Sequence, residues 1–261
     1  ADTGTATTTE SGTESTQGST SEESGLSDLP GQTESDCTLL EDLLSTLAGE
    51  PNPGVQQQLI SEFIHAVTYG ERGFPIAEGN KLAAVYWGDP GLDLALVGDF
   101  NGWEPSLDPM EEVVPGFYVR VTQLPAPASG LYKLVEGGTY FADPLARRFA
   151  WDEFGEYSQV DAIAGRSHYE RWPDFDMSAG LLQPRTVTVY LPADAWQEQQ
   201  PLPTLYMHDG QNLFAPDALW GGWQVGFTLD EAIGAAVLDP LLVVGVDNTS
   251  DRFDEYTQVG D

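Results

Sequence analysis

The sequence predicts a mixed fold: a helical hairpin, then a small antiparallel β-sandwich, then the opening strands of a parallel α/β sheet. Three observations predict it. Apolar residues fall at helical spacing between Thr38 and Val67, alternate in short bursts between Leu82 and Asp143, and close into continuous runs ending at Met207 and Val246. Continuous runs mark strands buried on both faces, as in parallel sheets. With 261 residues, 41% of them hydrophobic, the chain is long enough for two domains.

Residues 1–36 are rich in Thr, Ser, Glu, Gly and Asp and hold no aromatic residue, Lys or Arg. Such a stretch buries too little apolar surface to offset chain entropy, so a disordered acidic tail is expected. It resembles the spacers behind the lipid-bearing cysteine of bacterial surface lipoproteins, which implies an extracytoplasmic, periplasmic or surface lipoprotein placement; an inert soluble linker is the equal alternative. The first residue is Ala, with no basic-then-apolar leader, so a trimmed or processed start is expected.

Residues 37–80 are assigned to the helical hairpin. Its helices run from Thr38 to Leu47 and from Val55 to Val67, with Asp36 as cap and Pro51-Asn52-Pro53-Gly54 between them. The apolar stripe of the second is Val55, Leu59, Phe63 and Val67, and His65 lies off it, exposed. Cys37 is the single cysteine. At the end of the tail, with no base near in sequence, it is expected to be a free thiol without function.

Residues 81–160 form the sandwich. Its strands are Leu82–Trp87, Leu92–Gly98, Phe117–Thr122, Leu131–Val135 and Tyr140–Asp143, parted by turns such as Asp89-Pro90-Gly91, Pro115-Gly116 and Gly137-Gly138. Val97-Gly98-Asp99-Phe100-Asn101-Gly102-Trp103, Met110, Tyr132-Lys133-Leu134, Gly137-Gly138 and Ala142-Asp143-Pro144 resemble the early-set, immunoglobulin-like and glycogen-binding-like module that precedes many α-glucan enzymes. That resemblance implies a sugar platform of Trp103, Lys133 and Tyr140, the rings stacking and the lysine donating to hydroxyls. Packing of Trp103 and Tyr140 inside the sandwich or at its seam is the competing reading.

Residues 144–184 carry Arg147, Arg148, Trp151, Tyr157, Tyr169, Trp172 and Phe175 without periodicity. The expectation is a surface connector, residues 161–182, with His168 an ordinary polar residue on it.

Residues 183–261 open the α/β part. Arg185 to Pro192 alternates like a half-exposed strand, Thr204 to Met207 reads as a buried parallel strand ending in a His208-Asp209-Gly210 turn, Leu229 to Leu238 has helical spacing, and Leu241 to Val246 is a second buried strand. Open α/β sheets place their chemistry at such carboxyl ends. The blocks Met207 to Phe214, Trp223, Val243 to Asn248 and Arg252 to Thr257 resemble the esterase group of α/β-hydrolases to which enterochelin esterase and esterase D belong.

The resemblance implies an oxyanion hole fed by the backbone amides of Gln211 and Gly210. It implies that Arg252 and Glu255 pair beside the cleft, or that Arg252 touches an anionic substrate. His208 and Asp209, adjacent on a strand end, point to opposite faces and are expected to shape the turn instead of forming a base-acid pair. No serine sits in a Gly-x-Ser-x-Gly elbow; Ser167, in Gly165-Arg166-Ser167-His168-Tyr169, lacks the closing glycine. Family order puts serine, acid and histidine beyond Asp261. The same follows from the Leu241–Val246 strand, which as the last strand would leave a bare apolar edge.

A formal charge of −32 and a pI near 4.1 repel polyanions, so nucleic acid is excluded as a partner. No run reaches the ~18 apolar residues of a membrane span. Asp152, Glu153, Asp174 and Asp176 have no EF-hand spacing, and ester cleavage by this route implies no metal or organic cofactor. The expectation is the N-terminal portion of an exported serine carboxylic-ester hydrolase, inactive by itself, acting on a siderophore or other small ester. The alternative is a non-catalytic α-glucan-binding protein. Oligomeric state is not legible.

Overall fold

The computed structural model describes residues 35–176, 182–197 and 201–253, with the side chains of Trp196 and Trp220 excepted. The acidic stretch before residue 35 and the segment from residue 254, which includes Glu255, lie outside these residues.

Helix α1 (Asp36–Leu47) starts at Ser35, whose hydroxyl accepts the Thr38 N–H at 3.2 Å. Ser35 is therefore the cap, and Asp36, expected in that role, is the first helical residue, where its charge suits the helix N-terminus. Helix α2 (Pro53–Thr68) is capped by Asn52 with Pro53 at its first position. Leu40, Leu43 and Leu47 meet Ile60, Phe63 and Val67 in one core. The α2 stripe turns on Ile60; Val55, assigned to it from spacing, is 38% exposed. Cys37 belongs to this core as well, because the Ser35 cap places it one turn before Leu40 on the same face. Burial pushes its thiol up to about 11, so the expected tail thiol is a packed core residue.

Thirteen strands follow among the described residues: β1 (Ile76–Glu78), β2 (Lys81–Trp87), β3 (Leu94–Gly98), β4 (Glu111–Val114), β5 (Phe117–Gln123), β6 (Leu131–Glu136), β7 (Thr139–Phe141), β8 (Arg148–Asp152), β9 (Gly155–Gln159), β10 (His168–Phe175), β11 (Arg185–Leu191), β12 (Thr204–His208) and β13 (Leu242–Val246). Helix α3 (Val225–Gly234) lies between the last two. One sheet has the order β1-β2-β5-β4; the other has the order β12-β13-β11-β10-β8-β9-β6-β3, with β7 beside β6.

Alternation along β2 assigns its two faces. Ala83 and Val85 pack with Phe63 and Val67 under the helices. Leu82 and Ala84 pack with Leu96, Tyr132 and Leu134 of the second sheet. The four-stranded sheet is thus the middle of three layers.

The aperiodic stretch 144–184 contains three strands, and one of them, β10, occupies the expected surface connector at 161–182. β8 and β9 pair with each other, and β10 pairs antiparallel with β8 on one side and β11 on the other. The period is hidden because the faces are mixed: Arg171 lies over Phe149 beside Tyr169 and Trp151, while Trp172 shares the other face with His168 and with Glu170, which holds Arg148. A bulge between Trp172 and Phe175, with Asp174 at φ 52, bends the end of β10.

β12 is parallel to β13, in the register Thr204↔Leu242 to His208↔Val246. It is the sheet edge, with Leu205 47% and Tyr206 74% exposed. This corrects two expectations: Thr204–Met207 is not a buried strand, and the bare apolar edge belongs to β12, since β13 is paired on both sides. Composition is alike in the two runs; strand order decides which is covered. Leu213, Phe214, Val225 and Leu229 cover one face of this sheet against Tyr190 and Val243. Among the described residues no helix is long and apolar enough to cross a membrane.

Candidate functional site

The chain leaves β12 through Asp209, held in the left-handed region at φ 59, and enters a single 3-10 turn, Gly210–Asn212. Non-glycine residues rarely adopt that conformation. Three hydrogen bonds hold it here. Arg252 donates from Nε to Oδ1 at 3.0 Å and from Nη2 to Oδ2 at 2.9 Å, and Asn248 Nδ2 donates to Oδ1 at 2.7 Å. The Arg252 bond, then the Asn248 bond, hold the Asp209 carboxyl below its usual range. Asn248 N–H also donates to Gln211 Oε1 at 3.1 Å. The turn after β12 is therefore stitched to the loop after β13 at two points.

Gly210 is required by close approach. A Cβ on it would lie 2.7 Å from Asp247 Oδ1 and 2.8 Å from the Gly245 carbonyl carbon. As the first amides of a 3-10 turn, those of Gly210 and Gln211 have no carbonyl one turn back. Neither donates to a turn or loop carbonyl among the described residues. Two amides at the carboxyl end of a parallel pair of strands are the donors an oxyanion needs.

Arg252 holds Asp209 in a bidentate fork, the geometry arginine favours on a carboxylate; its expected pairing with Glu255 lies outside the described residues. Asp209 serves the turn, and His208 ends β12 exposed. Asp247, which the sequence did not single out, points its carboxyl against Gly210, and burial pushes it up to about 6. Its signal was the polar residue directly after an apolar strand.

His168, Glu170, Ser167 and Asp230 hold elements of the fold together. His168, expected on a surface connector, is 2% exposed, with Nε2 3.7 Å from Glu170 Oε1. Glu170 in turn holds Arg148 at 3.0 Å. Ser167 Oγ lies 2.7 Å from Asp230 Oδ2, and Tyr190 OH donates to Asp230 Oδ1 at 2.7 Å, which ties α3 to the sheet. Among the described residues no group of three or more His, Cys, Asp or Glu side chains could hold a metal ion.

A second site lies in the β-sandwich. The Gly98–Trp103 loop is shaped by Asn101, which accepts from Gly98 N–H and donates to Leu96 O and Asp108 Oδ2. Trp103, at φ 64, donates from its indole to Asp99 Oδ1 at 3.1 Å. Together with Lys133 and Tyr140 it lines a cavity of about 610 Å³, bounded also by Asp99, Asp152 and Phe154. The three residues expected to form a sugar platform are thus brought together. Lys133 is 7% exposed, and its ammonium donates to Phe154 O at 2.9 Å.

A family model described as "Putative esterase" matches residues 178–260, so the chain carries an esterase-like segment. No curated protein matches the chain. Among solved structures, the ferric enterobactin esterase of Salmonella typhimurium is similar at 13% identity and a TM-score of 0.26, over 67% of this chain and 56% of that one. The enterobactin esterase of Shigella flexneri, solved with 2,3-dihydroxy-N-benzoyl-serine, is similar at 14% identity and a TM-score of 0.29, over 70% and 56%. Its structure with enterobactin gives 15%, 0.26, 69% and 56%. The chain therefore spans little more than half the length of these structures. Likeness at this level fixes neither substrate nor mechanism.

Proposed function

We propose that this chain is the N-terminal portion of an exported serine carboxylic-ester hydrolase that works through an acyl-enzyme. Serine, acid and histidine lie on chain beyond Asp261. The observation that carries this reading is the Gly210–Gln211 turn: two amides without turn partners at the carboxyl end of β12, locked by Asp209, Asn248 and Arg252. When a serine attacks an ester carbonyl, the carbonyl oxygen takes up negative charge, and such amides stabilise it most at that moment. Loss of one such donor typically costs ~10²- to 10³-fold in turnover.

Among the described residues β12 is paired on one side only, and its exposed apolar edge, a pairing site that proteins cover, supports a further neighbouring strand. Siderophore lactones, acyl or aryl esters on carbohydrate and simple esters are all substrates this chemistry admits, with no cofactor. Export to the periplasm or cell surface rests on the acidic, Ser/Thr-rich stretch at residues 1–36. The domain division 37–80, 81–160, 161–182 and 183–261 belongs to the same proposal, with an early-set sandwich as the second unit.

A fluorophosphonate probe tests the reading. The protein as its host makes it should be labelled on a serine beyond residue 261, while the 261-residue chain should show no label and no hydrolysis of a short-chain nitrophenyl ester. Titratable turnover by the short chain would refute it, as would a host product that ends at Asp261.

One observation favours a second reading, carbohydrate binding by the sandwich: Trp103, Lys133 and Tyr140 line one cavity. Retention on amylose that is lost in Trp103→Ala is its test, and a wild-type chain that elutes unretarded refutes it.

A further inference from the structure

Resting on the carbohydrate reading, we infer that Lys133 props the β8–β9 turn instead of touching the ligand, and that the propped Phe154 is the outer wall of the cavity for an uncharged, hydroxyl-bearing ring.

Phe154 is 77% exposed, so no core contact explains a large apolar side chain there. Its backbone is nonetheless held at both polar groups. The N–H donates to Asp152 Oδ1 at 2.8 Å, and the carbonyl accepts from Lys133 Nζ at 2.9 Å. Asp152 and Gly155 close the turn as a registered pair, with Gly155 at φ 87. A lysine stem buried along β6 with its head on a turn carbonyl fixes the position of that turn; one of its three donors is spent there, and at 7% exposure the residue presents little else to the cavity.

The rings of Trp103, Tyr140 and Phe154 supply apolar faces of the kind on which the C–H surface of a pyranose stacks. Asp99 is occupied at both oxygens, by the Trp103 indole and by Leu131 N–H at 2.9 Å, and so fixes the Trp103 ring. Asp152 has its second oxygen left to accept from a hydroxyl. Two carboxylates against one ammonium, on a chain of formal charge −32, disfavour an anionic ligand. A neutral sugar ring satisfies all of these features.

Calorimetric titration with maltoheptaose tests the inference in the full chain. Lys133→Met and Phe154→Ala should each weaken binding by roughly 5- to 10-fold, the scale of one lost ring contact. The double variant should bind no more weakly than Phe154→Ala, because both changes remove the same wall. Multiplying losses would put Lys133 on the ligand and overturn the prop. Hydrogen exchange reads the prop without any sugar: the Phe154 and Gly155 amides should exchange faster in Lys133→Met, and unchanged exchange overturns it. A wild-type chain that fails to bind maltoheptaose overturns the ligand class and the carbohydrate reading, while faster exchange in Lys133→Met would still uphold the prop. Heptagalacturonate should not bind; affinity equal to that for maltoheptaose overturns the exclusion of anions.

Discussion

Replacing Gly210 by Ala tests whether the turn after β12 sits where it does because its backbone must touch β13. The added methyl would meet Asp247 Oδ1 at 2.7 Å, the Gly245 carbonyl carbon at 2.8 Å and the Val246 carbonyl carbon at 2.9 Å. Real Cβ atoms do not approach so closely, and two of the three neighbours are backbone of a strand paired on both sides. They cannot swing aside as a side-chain tip can. Overpacking of this kind costs about 1–3 kcal/mol, offset by about 0.4–1 kcal/mol from the stiffer unfolded chain. A net loss of about 1 kcal/mol lowers the melting temperature of a domain this size by roughly 2–4 °C. Gly234→Ala is the control: it ends α3, and a Cβ there meets nothing within 4 Å. That variant should gain up to about 0.5–1 kcal/mol from helix propensity. Circular dichroism melts of the three chains decide. A Gly210→Ala melt within about 1 °C of wild type would refute the close-approach argument and, with it, the placement of the two amides.

Asp247→Asn should stabilise the chain at pH 8 and leave it unchanged near pH 4. Burial raises the folded-state carboxyl to about 6, above its unfolded value. The native state therefore ionises at a cost as pH rises through 6, while below about pH 4 both states are protonated and the amide gains nothing; equal urea midpoint shifts at both pH values would refute this. Arg252→Ala should lower stability by no more than about 1 kcal/mol, since the pair is 43% and 31% exposed. Exchange at Gly210 and Gln211 should nevertheless quicken, and unaltered exchange would mean the clamp does not order the turn. Cys37, buried with its thiol pushed up to about 11, should resist a disulfide reagent at pH 8 and react once unfolded. Rapid labelling of the native chain would contradict its place in the helical core.

What the sequence revealed followed local signals. The helices, the turn-punctuated strands of the sandwich and the His208-Asp209-Gly210 turn all announce themselves within a few residues. What it hid depends on strand order and on neighbours far away. Thr204–Met207 and Leu241–Val246 look equally buried, yet one is an edge and the other is enclosed. Arg252 was legible as a residue of the site, but its partner 43 positions earlier was not. Lys133 was legible as a cavity residue; that its ammonium ends on Phe154 O depends on how far the β8–β9 hairpin leans, which no spacing records. β10 was missed because each of its faces mixes aromatic and charged residues, Arg171 lying with Tyr169 over Phe149 and Trp172 with His168 and Glu170, so no apolar alternation shows.

β10 has a consequence for how such a chain is assembled from parts. Two modules joined by a linker can be cut apart, swapped or hinged, because few bonds cross the junction. Here the junction is a strand: β10 gives one edge to β8 and the other to β11. A cut before residue 183 would strip β11 of a registered neighbour and leave its amides and carbonyls facing water. The sandwich is spliced into the esterase-like sheet as shared fabric, so recombination that preserves both halves must carry His168–Phe175 along with whichever half it moves.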